Sequence, residues 1–315
     1  NVVIDSPRQL YAAQLELIIL SEEAATNHMS EILEYFSREP ESRTEVKFVI
    51  ARGDDSTKAV TIQTLLTNFS SSNIKQSLEL QQKVLGLTPV YTLNELLNMY
   101  LDPTLEISLP SIIVYGNAEE GDKKENITTS TPKALTKIGT TAIFKGKDFL
   151  GYLTEEESKV HSIIIGSTKE SIINLDYKDN YSVFELYKIE SDISPDIKDN
   201  KITLNISGKA RIKEFHSNTN ITKSKETDRL NKELNKHIED IIKKNFNSMR
   251  EKYNTDIFNF RQSFYRGNPK YYNTHYKDTW YESIFPNLTL EVKSNIKLYE
   301  KGNTLGGIEY ENKNN

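Results

Sequence analysis

The sequence predicts an α+β protein of two to three domains, in which mixed or antiparallel sheets are flanked by helices. Three observations predict it. Lys201 to Phe215 alternates cleanly, with Ile202, Leu204, Ile206, Ala210 and Ile212 on one face and Lys and Asn on the other, the pattern of a strand buried on one side. Glu226 to Tyr253 carries Leu230, Leu234, Ile238, Ile241, Ile242, Met249 and Tyr253 as an apolar stripe opposite a face of Lys, Asn and Glu, which marks a long helix lying along a sheet. Leu288 to Leu298 alternates again through Leu290, Val292, Ile296 and Leu298. A strand, long helix, strand unit packed as two layers is the natural closing domain.

From the amino end, Leu10 to Leu20 reads as a buried strand, and Ser21-Glu22-Glu23 opens a helix through Phe36 with Met29, Ile32, Leu33 and Phe36 at helical spacing. Val46 to Ala51 is a strand. Thr57 to Leu66 and Ile74 to Leu85 are helices, the second stopped by Gly86 and Pro89. Thr92 caps a helix from Leu93 to Tyr100, Asp102-Pro103 ends it, and Leu105 to Val114 is extended. Asn117 to Thr136 has almost no apolar content and reads as a loop or linker. Between Ile138 and Ser158, Thr141, Ile143 and Phe149 to Leu153 flank a Gly146-Lys147-Asp148 turn, a hairpin. Thr154 then caps a helix with Glu155 to Glu157 in its first turn. Ser162 to Gly166 is a brief apolar run, and Ile172 to Leu175 and Tyr181 to Lys188 are strands. Pro269 introduces an aromatic segment to Phe285, and the polar end from Gly302 reads as a tail. The expected division is an α+β domain over 1–116, a linker over 117–136, a hairpin-containing domain over 137–195, an α+β domain over 196–305 and a tail over 306–315.

A chain of 315 residues exceeds one typical domain and can bury substantial cores. Its net charge of −5 is spread as interleaved Lys and Glu, without the basic face that nucleic acid requires. The absence of cysteine excludes disulfides, thiolate nucleophiles and Cys-based zinc sites. No segment approaches the ~18 apolar residues of a membrane span; Leu15 to Leu20 is the most apolar run, so any membrane attachment is expected outside these residues. Heavy use of Asn, Lys and Ile fits an AT-rich genome such as a clostridial one. The sequons at Asn68, Asn126, Asn205, Asn220 and Asn287 are read as fortuitous in so Asn-rich a chain.

Candidate chemistry is sparse. His28, His161, His216, His237 and His275 are scattered, with no His-Glu-x-x-His pair, and Gly151 and Gly166 are isolated, with no nucleotide-binding glycine run. Glu155, Glu156 and Glu157 could serve as a general acid/base pair, but carboxylates in a first helical turn are commonly there for the macrodipole. Arg38, Glu39 and Arg43 suit a structural clamp, since a guanidinium at a turn can lock carboxylates or carbonyls bidentately; contact to a partner is the alternative. The aromatics from Phe258 to Phe285 could form a core, a ligand cage or a partner surface. Helical spacing assigns Ile257, Phe260, Phe264, Trp280 and Ile284 to the core. It leaves Tyr271, Tyr272, Tyr276 and Tyr281 as the expected exposed, partner-facing set. No catalytic, cofactor-binding or metal-binding residue is predicted, and a binding or assembly role outranks an enzyme.

Four runs, taken in order, carry a resemblance: Leu33 to Arg43 (LEYFSREPESR) with Val46 to Arg52 (VKFVIAR), the Gly139-Thr140 hairpin, Asp256 to Phe264 (DIFNFRQSF), and Trp280 to Pro286 (WYESIFP). Over roughly Arg8 to Leu305 the chain resembles the spore germinant-receptor C subunits, the Ger(x)C lipoproteins of endospore-forming bacteria. Thr141 stands where that family often has Ala, and Glu155 to Ser158 reads EEES where a Glu-Thr pair is common. The resemblance implies a non-enzymatic lipoprotein on the outer face of the spore inner membrane, without a cofactor. It also implies that the chain works with polytopic A and B subunits in nutrient-triggered germination. A signal peptide, a lipid-bearing cysteine and the first strands are then expected ahead of Asn1. The role expected is that of an adaptor or assembly component; the alternative is a module that binds the germinant itself, and a hydrolase comes third.

Overall fold

The computed structural model describes residues 15–38, 45–53, 56–62, 70–123, 125–128, 131–178, 180–216 and 224–300. They fall into two compact units, one drawn from Asn1–Leu80 and Pro89–Tyr152, the other from Gln81–Thr88 and Leu153–Asn315.

The first unit is built on a sheet of β1 (Leu17–Ser21), β2 (Lys47–Ala51), β4 (Ser111–Gly116) and β5 (Ala134–Ile138), the first three parallel and the last antiparallel. A short antiparallel sheet adds β3 (Ser108–Leu109), β6 (Ala142–Lys145) and β7 (Asp148–Tyr152). β1 and β2 read as near-continuous apolar runs because helices cover both faces of the sheet. Ile18, Leu20, Phe48 and Ile50 face a core with Leu33, Leu96 and Phe144, while Leu17, Val49 and Ala51 face Ala59, Ile74 and Leu78. The helix expected from Ser21 to Phe36 is two, α1 (Glu22–Asn27) and α2 (Met29–Arg38), because His28 leaves helical geometry at φ −130°. α3 (Ser56–Thr61), α4 (Ser70–Val84) and α5 (Leu93–Leu101) follow, the last with the full Thr92–Glu95 capping box. The expected linker over 117–136 instead holds two one-turn helices, α6 (Ala118–Gly121) and α7 (Glu125–Thr128), and most of β5. Buried Asn126 ties them together, with its amide N donating to Ala134 O at 2.9 Å and its Oδ1 accepting from Ala134 N at 3.0 Å.

The second unit contains α8 (Glu155–Ile164), β8 (Glu170–Tyr177), β9 (Asn180–Asp196), β10 (Lys201–Phe215), α9 (Ser224–Tyr253) and β11 (Thr289–Glu300). Its sheet runs β11-β10-β9-β8, with β10 and β11 parallel and the other pairs antiparallel. Parallel neighbours need a crossover, and α9 supplies it. Leu230, Leu234, Ile238, Ile242, Phe246 and Met249 are buried, and so are Ile202, Leu204, Ile206 and Ala210 of β10. At ~1.5–3 kcal/mol for each large apolar side chain, that layer is the main source of the unit's stability. Between α9 and β11, α10 (Phe260–Gly267), α11 (Pro269–His275) and a π-helical turn at Trp280–Ile284 fold the aromatic segment into the same core. The hairpin and the strands after it, expected in one domain over 137–195, are thus divided. β6 pairs with β3 in the first unit, whereas β8 and β9 pair with β10 in the second.

Candidate functional site

The motif residues of the first unit converge on Arg52. Its guanidinium lies over the Tyr152 ring, 3.8 Å from the centroid. Its Nε donates to Ser111 Oγ at 3.1 Å and its Nη2 to Thr140 Oγ1. Tyr152 OH donates to Glu22 Oε1 at 2.6 Å, and that oxygen also accepts Gly53 N–H at 3.1 Å. Gly139 leaves the space this needs, since a Cβ there would sit 2.5 Å from Ser111 Oγ and 3.2 Å from Arg52 Nε. Burial and the Glu22 hydrogen bond push the Tyr152 phenol far above its usual range. The cluster is a cross-brace between strand ends.

In the second unit the acidic helix start is also structural. Glu157 is buried, and its Oε2 accepts Thr154 N–H at 2.8 Å in a complete capping box. Its Oε1 accepts Ser248 Oγ–H at 3.0 Å from α9. Glu156 accepts from Asn245 at 2.7 Å, a bond that holds its carboxyl below the usual range, and Glu155 pairs with Lys159 at 2.7 Å. Asp256, the first residue of the Asp-Ile-Phe motif, is buried and accepts three backbone N–H groups: Phe258 at 3.2 Å, Phe260 at 3.3 Å and Arg261 at 2.5 Å. It therefore closes the start of α10, a capping role that the Asp-x-x-x-Phe spacing hints at. Buried His161 donates Nε2–H to Ile257 O at 2.9 Å, its Nδ1 has no partner, and burial lowers its pKa to about 4. No group of His, Cys, Asp and Glu suited to a metal occurs among the described residues.

The expected partner-facing residues separate. Tyr272 and Tyr276 are core, not surface: Tyr272 OH accepts from Arg261 Nε at 2.5 Å, and Tyr276 OH donates to Ile197 O. Their spacing with Trp280, four residues apart each time, is the signal that places them in one buried stripe. Tyr271 and Tyr281 are half-buried, Tyr271 stacking on His275 at 4.2 Å. Arg38 is exposed and pairs with Glu34 at 2.8 Å, an exposed pair of small energetic weight. Arg43 lies outside the described residues.

The two outer strands of the second sheet differ. Three α9 side chains bond the outer edge of β11: Leu298 N–H reaches Asn231 Oδ1 at 2.8 Å, Ile296 N–H reaches Asn235 Oδ1 at 2.7 Å, and Ser294 N–H reaches Glu239 Oε1 at 2.9 Å. Asn235 Nδ2 also donates to Ile296 O at 2.8 Å. Among the described residues, no helix side chain bonds the outer peptide groups of Ile172, Asn174 and Asp176 in β8. Beside it lies a groove of about 340 Å³ between α8 and α9, with Val160, Ile163, Ile241 and Ile242 on its walls and Glu155 and His237 at its rim. That volume is at the small end of the ~300–1,000 Å³ of small-molecule sites. Sequence reading missed both features, because Asn231, Asn235 and Glu239 look like a solvated helix face.

Two family profiles match the chain: "Spore germination protein N-terminal domain" over residues 2–114 and "Spore germination B3/ GerAC like, C-terminal" over residues 139–302. The chain belongs to this family, the Ger(x)C germinant-receptor C subunits. It is 23% identical over 301 residues to spore germination protein KC of Bacillus subtilis (strain 168), covering 94% of this chain and 74% of that one. Its fold is similar to the crystal structure of the GerBC protein, with a TM-score of 0.60 at 19% identity over 95% of this chain and 83% of the other.

Proposed function

We propose that this chain is a non-enzymatic C subunit that acts with membrane A and B subunits in nutrient-triggered spore germination, as an adaptor in receptor assembly. The observation that carries the reading is the commitment of the motif side chains. Arg52, Glu157 and Asp256, the groups best suited to chemistry, are bonded within their own units and stiffen them. A stiff body that spends its motifs on its own frame suits contact with partners. No helix among the described residues is long and apolar enough to cross a membrane. A lipid anchor at the outer face of the spore inner membrane would hold the chain near its partners at high effective concentration, so that weak interfaces suffice. Surface candidates for such contact are Arg38, Tyr271 and Tyr281.

The test is crosslinking in intact spores followed by release of dipicolinic acid. Crosslinks to the A or B subunit, with loss of the response to one germinant class in spores lacking this gene, are expected. Absent crosslinks together with an unchanged response would remove the reading. The groove beside β8 favours a second reading, direct germinant binding, which predicts saturable calorimetric binding of an amino acid or sugar to the isolated chain.

A further inference from the structure

Among the described residues, the sheet of the second unit is bonded on one side of β8 alone. The phase of the antiparallel ladder follows from Glu170, whose backbone N–H and C=O both bond the Thr168 side chain rather than the facing Tyr187. The peptide groups of Ser171, Ile173 and Leu175 face β9, and those of Glu170, Ile172, Asn174 and Asp176 face away. The Thr168 hydroxyl takes both groups of Glu170, donating to its C=O at 2.6 Å and accepting its N–H at 3.3 Å. Ile172, Asn174 and Asp176 have no backbone partner on that side among the described residues. An edge of this kind is a template for another strand. A strand added there would lie ~4.8 Å beyond β8, and its pleat would turn alternate side chains toward the helices. The groove walled by Val160, Ile163, Ile241 and Ile242 lies on that side.

We infer that β8 is a docking edge for an extended segment of another protein, apolar at alternate positions and basic at its ends. Backbone bonds to Ile172, Asn174 and Asp176 supply affinity, and the groove selects the inward side chains. Charge decides the occupant. In the register that pairs β8 most fully with a second copy of itself, Glu170 falls opposite Asp176 at both ends, carboxylate against carboxylate. Neither residue forms an ion pair among the described residues. At the groove mouth Glu155 pairs with Lys159 and Glu156 with Lys244 at 3.4 Å, so those charges cancel; at the strand ends Glu170 stands beside Lys169, and Asp176 near Lys178, which is paired with Glu226 at 2.9 Å. A segment with basic ends converts both repulsions into attractions. The inference rests on the assembly reading for its partner's being a protein, and on the edge alone for its chemistry.

The test uses the full 315-residue chain and a fluorescent eight-residue peptide of alternating Val and Thr with Lys at each end, followed by anisotropy. Saturable binding is expected, weaker by on the order of tenfold when glutamate replaces lysine at both ends. Asn174→Pro, which removes an outward N–H, is expected to abolish it while moving the thermal midpoint by no more than a few degrees. Ile241→Lys, a change in the groove away from the strand, is expected to weaken it as well. No saturable binding to the folded wild type, or equal binding by Asn174→Pro, overturns the inference. So does a dimer in sedimentation that Asn174→Pro dissolves, since the edge then belongs to a second copy. Normal germination of spores lacking the gene would strike the assembly reading alone, leaving peptide binding as the measure of the edge.

Discussion

One sheet presents two edges that end in opposite ways. β11 meets α9, whose Asn231, Asn235 and Glu239 stand one helical turn apart and take successive outward N–H groups of the strand. β8 meets a groove, and among the described residues its outward peptide groups at Ile172, Asn174 and Asp176 have no partner. Side chains spaced by four on a helix thus take the outward N–H groups that another strand would otherwise pair. Where they are lacking, the sheet remains extensible. The docking edge proposed above rests on this contrast.

The comparison can be broken first by removing what holds α9 and the aromatic segment in place. Asp256→Ala strands two buried N–H groups and one part-buried one, and should cost on the order of 4 kcal/mol in urea unfolding, at ~1–3 kcal/mol for each lost partner. A loss below about 1 kcal/mol would mean that the cap is not structural. Asn235→Leu attacks the seal itself. It deletes the bonds to Ile296 N–H, Ile296 O and Ser294 Oγ–H, with an expected loss of about 3 kcal/mol and new concentration-dependent association through β11.

Acid sharpens the comparison from inside the unit. The His161 pKa is lowered by burial to about 4, against about 6.5 when unfolded, so between those values the unfolded chain binds the extra proton. Stability is therefore unaffected above pH 6.5, falls as pH drops through the window, and is lower by roughly 3 kcal/mol below pH 4. His161→Gln, which keeps a donor for Ile257 O, should flatten that slope in denaturant titrations run at successive pH values. The smallest effect is expected at β8, where Asn174→Pro should cost less than about 1 kcal/mol because the N–H it removes is unpaired.

Much of the framework is legible in the sequence, for reasons the residues make plain. The β10 alternation and the α9 stripe each report one buried face, and the Thr154 and Thr92 caps carry their own chemistry. β8 is half legible: adjacent Ile172 and Ile173 mask the alternation of Ser171, Ile173, Leu175 and Tyr177, all four of which are buried. The 117–136 segment hid its elements because their order comes from one buried side chain, Asn126, rather than from periodic apolar residues. The seal on β11 had no sequence signal, since Asn and Glu on a helix look alike whether they face water or a strand. Tyr272 and Tyr276 look exposed when the aromatic segment is read as one cluster, whereas their four-residue spacing to Trp280 agrees with their burial.

The most direct test is residue-resolved amide hydrogen exchange on the folded chain near neutral pH. The N–H groups of Ser294, Ile296 and Leu298 should be protected to nearly the global unfolding free energy, and those of Ile172, Asn174 and Asp176 should exchange at rates near those of exposed loops. Equal protection at the two edges would contradict the account.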